Sequence, residues 1–428
     1  MKFHINRSKN LIQYLEDHGW TEALPNEPSD FSLWDIYNNP DVQSKIKVWP
    51  KEGFSTMIDC LWTWHKRLEK FNLTHLSPYT ITDWELMQLS EDDFKNGQLW
   101  FFKQVFGVHG KGINLISNYN EYLTIQKSIQ EKIEIQGPCL MEDLKHQYIL
   151  QKGMINTHLI QGRKYILRVY TLTKNNGATF VYNDCLYYTT IFPVKYDYLD
   201  CYVGKNNKVY PLSVKNKKNK TFVPKDQMRK NVHVSHWKPD EEGKYNIIDN
   251  RKMGLLSDLP MYRKVMKNIF QNVRGMSLLY KDMIQEYTDC ETKPFHMENN
   301  AYQVWGSDYI VMKDLSVKCL EINAFPNLTH GIRSMEEIKK GGKIRPHELK
   351  FRKNGFDRDL MRIFGYDLEQ KGIEYPNNWV VVNDNNPINT LLLQKQKKKT
   401  KKKKTKKKKK KKSSKKKRKG NNYLWNMI

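Results

Sequence analysis

The stretch from residue 305 to residue 323 constrains the fold most, because two β-rich runs flank one short polar break, Lys313-Asp314-Leu315-Ser316. Such a pattern predicts a β-hairpin. Asp308 lies on the first run and Glu321 on the second, at nearly equal distances from the break. With a loop of two or four residues, these carboxylates face each other with their Cβ atoms about 4.5 to 5.5 Å apart.

Like charges at that spacing repel, so the pair predicts a bound cation. Asn323, two residues after Glu321, shares its face of the strand. Oxygen ligands from Asp, Glu and Asn suit Mg²⁺, which proteins hold through one or two carboxylates and substrate phosphates. The alternative is an exposed hairpin with scattered acids. This alternative fits poorly, because the predicted face of Asp308 is an apolar stripe. The stripe comprises Ile310, Met312, Val317 and Cys319.

A second feature is a glycine-rich loop, in which Gly107, Gly110 and Gly112 let backbone N–H groups approach a phosphate. A Walker A loop or a Rossmann fingerprint opens a helix, whereas the residues after this loop, 113–116, form a predicted strand. Strand, glycine loop and strand occur in protein kinases and in ATP-grasp enzymes. Kinases place their lysine after the loop and need HRD and DFG segments. This chain lacks both segments, and its lysine, Lys103, precedes the loop.

A third feature is the run 162–168, which places Lys164 and Arg168 on one side of an extended segment. The two cations are then about 13 Å apart, at 3.3 Å per residue. That span can bracket a polyphosphate. A solvated edge strand explains two cations equally well, but not their presence beside a glycine loop and a predicted cation site.

The net charge of +27 has two sources, because Lys395–Lys419 contains twenty of the cations and no acid, leaving +7 for the remainder. The polybasic run is therefore a separate segment, for which disorder or a nuclear localisation signal is the usual explanation. The six cysteines show no CxxC pair, which predicts reduced thiols and no structural zinc. With no run of 18 apolar residues and no apolar core in Met1–Asn10, we expect a soluble intracellular protein.

The periodicity of the chain predicts a mixed order of elements. From Ser8 to Gln98 it favours mostly helix, with Ser55 as an N-cap. A basic surface insertion is expected at 204–230, and a long helix begins near Asp258 and Pro260. Its predicted apolar face comprises Val265, Ile269, Val273 and Met276. The predicted strands are Trp100–Val105, Ile113–Ile116, Tyr148–Lys152, Lys164–Thr173 and Thr179–Tyr182. After the hairpin, Pro346–Tyr366 is predicted to be helical, and order should fade from Pro376.

Together these blocks resemble the tubulin-tyrosine-ligase-like family of the ATP-grasp superfamily, over residues 77–365. The matching blocks are Phe101-Phe102-Lys103, Gly107–Ile113, Gln151-Lys152, Leu159–Arg168, His233–His236, Gly306-Ser307-Asp308 and Leu320–Pro326. The resemblance implies an α+β, ATP-grasp fold. We expect an N-terminal domain (1–80), a central domain (81–152), a C-terminal domain (153–375) and a disordered polybasic tail (376–428).

The resemblance also implies roles for individual residues. Lys103 and Lys152 would contact the nucleotide phosphates or the adenine edge, beside the loop with Gly107, Gly110 and Gly112. Gln151 and the backbone near Met154 would hold adenine. Lys164 would lie on the ribose-phosphate side, and Arg168 would contact the transferred phosphoryl group. Asp308, Glu321 and Asn323 would hold Mg²⁺. The implied catalytic residues are Arg168, Glu321 and Asn323.

Two positions depart from the family pattern. The family usually has aspartate where this chain has Ile166, and an arginine near the position of Tyr188. The first change predicts weaker nucleotide binding. The second removes a cation expected near the acceptor.

The leading functional hypothesis is an ATP- and Mg²⁺-dependent ligase that joins a free amino acid to a carboxylate of an acidic protein, such as tubulin, through an acylphosphate. The alternatives are a non-catalytic nucleotide-binding module that docks acidic partners, and a nucleic-acid binder acting through its tail. We expect a monomer located in the cytoplasm without membrane contact. The tail allows nonspecific nucleic-acid contact and nuclear import.

Overall fold

The structure is a computed structural model, which describes the chain in separate ranges up to residue 382. The described residues are 1–5, 9–24, 27, 29–33, 49–50, 61–83, 86–105, 112–136, 147–174, 176–197, 199–215, 218–235, 251–285, 301–323, 326, 350, 354–366, 368–369 and 378–382.

The N-terminal segment forms a small parallel sheet, so the prediction of mostly helix was wrong there. Its elements are β1 (Lys2–Ile5), α1 (Lys9–Glu16), β2 (Thr21–Glu22) and β3 (Phe31–Leu33), with strand order β2-β1-β3. A buried parallel strand lacks the polar alternation that identifies a half-exposed strand, which is why the pattern misled. The helix α2 (Leu61–Lys70) does form, while its predicted N-cap, Ser55, lies outside the described residues.

An antiparallel sheet of four strands forms the next unit, with the order β5-β8-β6-β7. Three of these strands were predicted. The helix α3 (Tyr119–Gln136) packs on the face that carries Trp100, Phe102 and Leu150. The opposite face carries Lys103 and Gln151, because side chains alternate along a strand. The strands are β5 (Thr80–Ile81), β6 (Trp100–Gln104), β7 (Ile113–Ile116) and β8 (Tyr148–Lys152).

A larger sheet is built around one long strand, β9 (Tyr165–Lys174). The strands β11 and β10 pair with successive parts of one of its edges, and β16 pairs along the other. Beyond β16 lies β17, the second strand of the predicted hairpin. The other strands of this sheet are β4 (Trp49–Pro50), β10 (Thr179–Tyr182), β11 (Leu186–Thr189), β15 (Met253–Leu255), β16 (Ala301–Val311), β17 (Val317–Asn323) and β18 (Trp379–Val381).

The two faces of β9 carry different cores. Tyr165, Leu167 and Val169 pack against α2 and against two further helices, α5 and α6. The apolar face predicted for α5 is confirmed, since all four of its residues are buried. Tyr170 and Leu172, on the opposite face, pack against the N-terminal sheet and a third helix, α7. The bounds are α5 (Tyr262–Gly275), α6 (Ser277–Gln285) and α7 (Phe356–Ile363). Ile166 and Arg168 lie on the same face of β9 as Tyr170, but they belong to neither of the two cores.

The basic insertion is folded. It forms a three-stranded antiparallel sheet, with the order β13-β12-β14, followed by a helix, α4. Val203, Val223, Met228 and Val232 belong to its own small core. The bounds are β12 (Cys201–Gly204), β13 (Val209–Pro211), β14 (Lys220–Val223) and α4 (Lys225–His233).

Among the helices that the structure describes, none combines the length and hydrophobicity of a membrane span. The predicted tail from Pro376 falls almost entirely outside the described residues, apart from 378–382, which include β18. The domain boundaries given above stay a prediction.

Candidate active site

A cleft lies between the four-stranded sheet and the large sheet. The end of α4 closes one side of it through residues 233–235. The predicted site residues that line the cleft are Lys103, Gln151, Lys152, Met154, Lys164, Asp308 and Glu321.

The hairpin β16–β17 brings Asp308 directly opposite Glu321, as predicted. However, the loop does not have the even number of residues that was predicted. A hydrogen bond of 2.8 Å from Met312 N to Ser316 O closes a three-residue loop, in which Leu315 is left-handed at φ 71°. The register at this turn would pair Asp308 with Leu320. A β-bulge next to Asp308 inserts one residue and restores the pairing with Glu321.

The three-residue loop also overturns the predicted apolar stripe, because it sets the register of Val317 and Cys319, which lie between the turn and the bulge. Val317 pairs with Val311 and Cys319 with Tyr309, and all four lie in the core on the side away from the cleft. On the cleft side, Ile310 and Leu320 flank the acids. Asp308 and Glu321 therefore do lie beside apolar side chains. Of these two apolar residues, the sequence predicted only Ile310.

Arg168 supplies the positive charge next to Asp308. The two residues are paired across β9 and β16, and the guanidinium binds the carboxylate in a bidentate manner, with Nε–Oδ1 at 2.5 Å and Nη2–Oδ2 at 3.0 Å. The Asp308 side chain is only 2% exposed. Burial lowers the pKa of Arg168, but Asp308 more than compensates, so the net shift is upward. Three adjacent strands thus carry the charged row Arg168, Asp308 and Glu321.

The residues present fit a magnesium ion whose remaining ligands come from phosphate and water. Asn323 pairs with Gly306 at the end of the hairpin and donates a hydrogen bond of 3.1 Å to its carbonyl. It shares a face of β17 with Glu321, two residues earlier. Within the described ranges, no group of three or more His, Cys, Asp or Glu side chains is arranged so that it could hold a metal ion by itself. Two carboxylates and one amide match a metal held jointly with a substrate.

Lys103 lies across the cleft from the charged row. Its side chain is buried and donates a hydrogen bond of 2.7 Å to Oε1 of Gln151. Burial lowers the pKa of Lys103, and the negative charges of Glu321 and Asp308 partly offset that effect. Gln151 in turn donates to Oγ1 of Thr80 at 3.1 Å. Two residues assigned to the nucleotide therefore hold each other in place.

Other predicted nucleotide ligands are placed less centrally. Lys152 borders the cleft, but its ammonium lies 5.8 Å from the ring centre of Trp100, on the face of β8 opposite Gln151. Gly107 and Gly110 lie outside the described residues. Gly112, at the end of that loop, has φ +73°, a backbone conformation that favours glycine.

Lys164 lines the cleft, four residues before Arg168 in the same extended segment. Its ammonium donates a hydrogen bond of 3.4 Å to the Met154 carbonyl. Burial lowers the pKa of Lys164 to about 8, and Asp197 partly offsets the shift. Between the two cations, Ile166 pairs with Tyr188 on one side and with Ile310 on the other. The two departures from the family pattern are therefore direct cross-strand neighbours.

His233 belongs to one of the family-like blocks, but the resemblance implied no role for it, and Asp197 lies outside all of those blocks. His233 lines the cleft, and its Nε2 lies 2.7 Å from Oδ2 of Asp197. Arg229 lies next to them, with Nη1 at 3.3 Å from Glu121 and Nε at 3.9 Å from Asp197. Asp197 and His233 are 36 positions apart in the sequence, and no local pattern signals their contact.

Comparison with known families gives the assignment. The family model described as "Tubulin-tyrosine ligase family" matches residues 37–341, which is more than half of the chain. The chain belongs to the tubulin-tyrosine ligase family. Membership supports ATP-dependent ligase activity and an ATP-grasp-like fold, and this family generally uses ATP and Mg²⁺. A search of curated proteins finds no match.

The matched range of the tubulin-tyrosine ligase family includes the whole of the cleft. It covers α2, the four-stranded sheet, the folded insertion and the hairpin with Asp308 and Glu321. The N-terminal strands β1 to β3 and the helix α7 lie outside the match. The predicted family resemblance is therefore confirmed over the part of the chain that builds the site.

Proposed function

We propose that the protein joins the amine of a free amino acid to a carboxylate of an acid-rich protein acceptor, with tubulin as one candidate. The observation that carries the proposal is the charged row Arg168, Asp308 and Glu321, of which Asp308 and Glu321 line the cleft together with the buried Lys103. Cations and carboxylates converging in a partly dry cleft suit phosphoryl transfer, where charge develops on phosphate oxygens.

The chemistry follows from the weakness of a carboxylate as an electrophile. An acceptor carboxylate oxygen attacks the γ-phosphorus of ATP, giving an acylphosphate and ADP. The amine then attacks the acyl carbon, the C–O bond to phosphate breaks, and phosphate leaves with the bonding electrons while the amine loses a proton. Arg168 and Lys103 would stabilise charge on the phosphoryl oxygens. The surrounding apolar side chains, Ile310 and Leu320, would limit hydrolysis by water.

Mg²⁺ would be held by Asp308, Glu321 and Asn323, and it would neutralise charge on the polyphosphate. Arg168 engages both oxygens of Asp308, so the two cations would share this carboxylate. Glu321 and Asn323 are the residues better placed to act as the principal protein ligands.

The folded insertion supports an acidic acceptor. The loops between its strands expose Lys205, Lys208, Lys215 and Lys218, and the sequence has no acid from Cys201 to Lys225. Its helix α4 runs from the sheet to the cleft, so an acidic chain bound there would be near the site. The polybasic run near the C-terminus would accelerate encounter with such partners, and salt would weaken that effect.

The test is to incubate the full chain with MgATP, all twenty amino acids and an acid-rich acceptor such as tubulin, and to map mass increments. We expect an increment of one amino acid residue on a glutamate-rich segment, accompanied by ADP and phosphate. Glu321→Gln is the control for contaminating activity. No increment, with the wild-type protein folded, would refute the ligase proposal.

The position modified can be tested separately. The absence of a cation at Tyr188 favours acceptance by glutamate side chains over an isolated C-terminal carboxylate, with glutamate or glycine added in preference to tyrosine. An acid-rich peptide and its C-terminally amidated form should then react alike. An inert amidated peptide would show that the terminus is the acceptor.

A second candidate is a nucleotide-binding module without turnover. It is favoured by the two uncharged positions Ile166, which lies between Lys164 and Arg168, and Tyr188, its neighbour on the adjacent strand. Binding of MgATP raises the melting temperature of a folded protein in proportion to the logarithm of its concentration above Kd. A shift with MgATP but no ADP release under any acceptor would favour this second candidate.

A further inference from the structure

The three-stranded sheet of the folded insertion has two chemically different faces. Its inner face carries Cys201, Val203 and Val223, which pack in the small core together with α4. Side chains alternate along a strand, so the residues between them lie on the opposite, outer face. The outer face comprises Tyr202 and Gly204 on β12, Lys208 and Tyr210 at β13, and Lys220 and Phe222 on β14.

An aromatic row runs across all three strands on the outer face. Tyr202 pairs with Tyr210 on one side and with Phe222 on the other. Phe222 is 46% exposed, and its ring centre lies 5.8 Å from that of Tyr202. A single exposed apolar side chain is ordinary, whereas neighbouring exposed ones are typical of an interaction site. Aromatic rings at such a surface are platforms on which nucleic-acid bases stack.

Two cations lie directly beside this aromatic row. Gly204 lacks a Cβ atom, which would come within 3.1 Å of the Tyr210 ring, so the ring can lie across β12. The Tyr210 ring thereby reaches Lys220 on the far strand, whose ammonium is 4.4 Å from the ring centre. The ammonium of Lys208 lies 5.6 Å from the same centre. These cation–π contacts hold two positive charges next to the exposed part of the row.

The charge of this segment restricts what can bind to the outer face. Residues 201–225 contain seven lysines and no aspartate or glutamate. A second copy of the chain would bring the same positive charge, which disfavours self-association through this face. A glutamate-rich peptide would neutralise the lysines, but its side chains offer no flat group for the aromatic rings. A single-stranded nucleic acid offers phosphates and unpaired bases along one chain, so it satisfies both the lysines and the rings.

We propose that the outer face binds single-stranded nucleic acid, with bases stacked on Phe222 and Tyr202 and phosphates bound by Lys208 and Lys220. The rings supply affinity that tolerates any base, and the ammonium groups supply affinity that falls with salt. The residues of the outer face are not among those that line the cleft. The proposal therefore goes beyond the ligase function and does not depend on it.

The test measures the dissociation constants of the full chain for fluorescent oligo(U) and oligo(dT). An excess of unlabelled duplex DNA occupies the polybasic run near the C-terminus, but the paired bases of a duplex cannot stack on protein rings. Both single-stranded probes should still bind in its presence. Binding of either probe supports the proposal, and the tighter probe identifies RNA or single-stranded DNA as the ligand.

Substitutions at Phe222 separate stacking from burial of an apolar side chain. Phe222→Leu keeps an apolar group but removes the ring, and it should weaken binding of the tighter probe by about tenfold. Phe222→Trp keeps a flat ring and should retain the affinity. Tyr79→Leu removes a ring that is 64% exposed outside the insertion, and it is the matched control that should bind normally. Since Phe222 lies outside the core, all three variants should melt at the temperature of the wild-type protein.

Two further measurements locate the contact. Lys220→Gln should reduce the slope of log affinity against log salt concentration by about one, as expected for a lost phosphate contact. Oligo(U) that carries 4-thiouridine, irradiated with the full chain, should crosslink to a peptide that contains Tyr202 or Phe222. Mass spectrometry of the digested protein identifies that peptide, which distinguishes the outer face from the polybasic run.

Three outcomes would overturn the proposal. If duplex DNA abolishes the binding of both probes, the protein makes only nonspecific electrostatic contacts. If Phe222→Leu leaves the affinity and the crosslinks unchanged, the aromatic row does not contact bases. If a glutamate-rich peptide displaces the probes as effectively as unlabelled oligo(U), the outer face is a docking surface for an acidic protein. None of these measurements requires ATP or an acceptor, so their failure is distinguishable from failure of the ligase proposal.

Discussion

Arg168 and Lys164 lie four residues apart on the same face of one extended segment, yet their surroundings act on them in opposite directions. Burial disfavours the charge of both side chains. At Arg168 the bidentate contact with Asp308 dominates, and the pKa rises. At Lys164 the more remote Asp197 does not compensate, and the pKa falls to about 8. The comparison shows that carboxylate geometry, more than depth of burial, decides whether a cation in this cleft is favoured.

The difference suits two tasks. A permanently charged group at the Arg168 end is appropriate where phosphoryl charge develops. At Lys164, burial makes the charged form unfavourable, and an anionic ligand would stabilise that form. Ligand binding and protonation of Lys164 should therefore be coupled. Four substitutions probe this contrast, in order of decreasing effect on the free energy of unfolding.

Arg168→Met should have the largest effect. It leaves Asp308 buried without its counter-charge, and the loss of one partner of such a pair costs about 3 to 5 kcal/mol. Urea unfolding of the apo protein measures it. The double variant Arg168→Met/Asp308→Asn should recover much of the loss, because no charge is then stranded. A loss below about 1 kcal/mol for the single variant would mean that water already solvates Asp308.

Lys164→Met should stabilise the apo protein at neutral pH, on the order of 1 to 2 kcal/mol after allowance for partial exposure. The folded pKa of about 8 lies below the ordinary 10.5, so the unfolded chain binds the proton more tightly. The cost of the wild-type lysine is therefore full below pH 8 and disappears as the pH rises to 10.5. The free energies of unfolding of the wild-type protein and of the variant, measured from pH 7 to 10.5, should therefore converge as the pH rises. A difference that does not change with pH would contradict the lowered pKa.

Ile166→Asp should sharpen the contrast by placing a carboxylate between the two cations. Its burial costs free energy, but attraction to Lys164 and Arg168 offsets part of that cost. Ile166→Asn is the uncharged control of similar size. We expect Asp to be about 1 kcal/mol more stable than Asn at pH 7, and the pKa of Lys164 to rise. Equal stability of the two variants would show that neither cation senses position 166.

Glu321→Gln should change the stability of the apo protein least, by less than about 0.5 kcal/mol. Glu321 attracts Lys103 and Arg168 but repels Asp308, so the terms nearly cancel. The variant should nevertheless lose the Mg²⁺-dependent part of the melting-temperature shift produced by ATP. Asp314→Asn, on the exposed turn of the same hairpin, is the matched control. A retained metal-dependent shift would remove Glu321 from the metal site.

The sequence by itself determined the local elements and the family. Alternation and turn residues predicted the strands around Lys103, Gln151 and Arg168, and they predicted the hairpin that pairs Asp308 with Glu321. These features depend on contiguous residues, since backbone periodicity and turn chemistry act over a few positions.

The tertiary structure alone decided the register between distant strands. Arg168 and Asp308 are 140 residues apart, and their contact depends on how β9 and β16 align around a shared core. The same holds for His233 with Asp197, and for the parallel N-terminal sheet. The bulge beside Asp308 is a local irregularity, but its effect depends on the pairing of β16 with β17. One inserted residue exchanges the faces of a strand, so Cys319 entered the core while Glu321 stayed in the cleft.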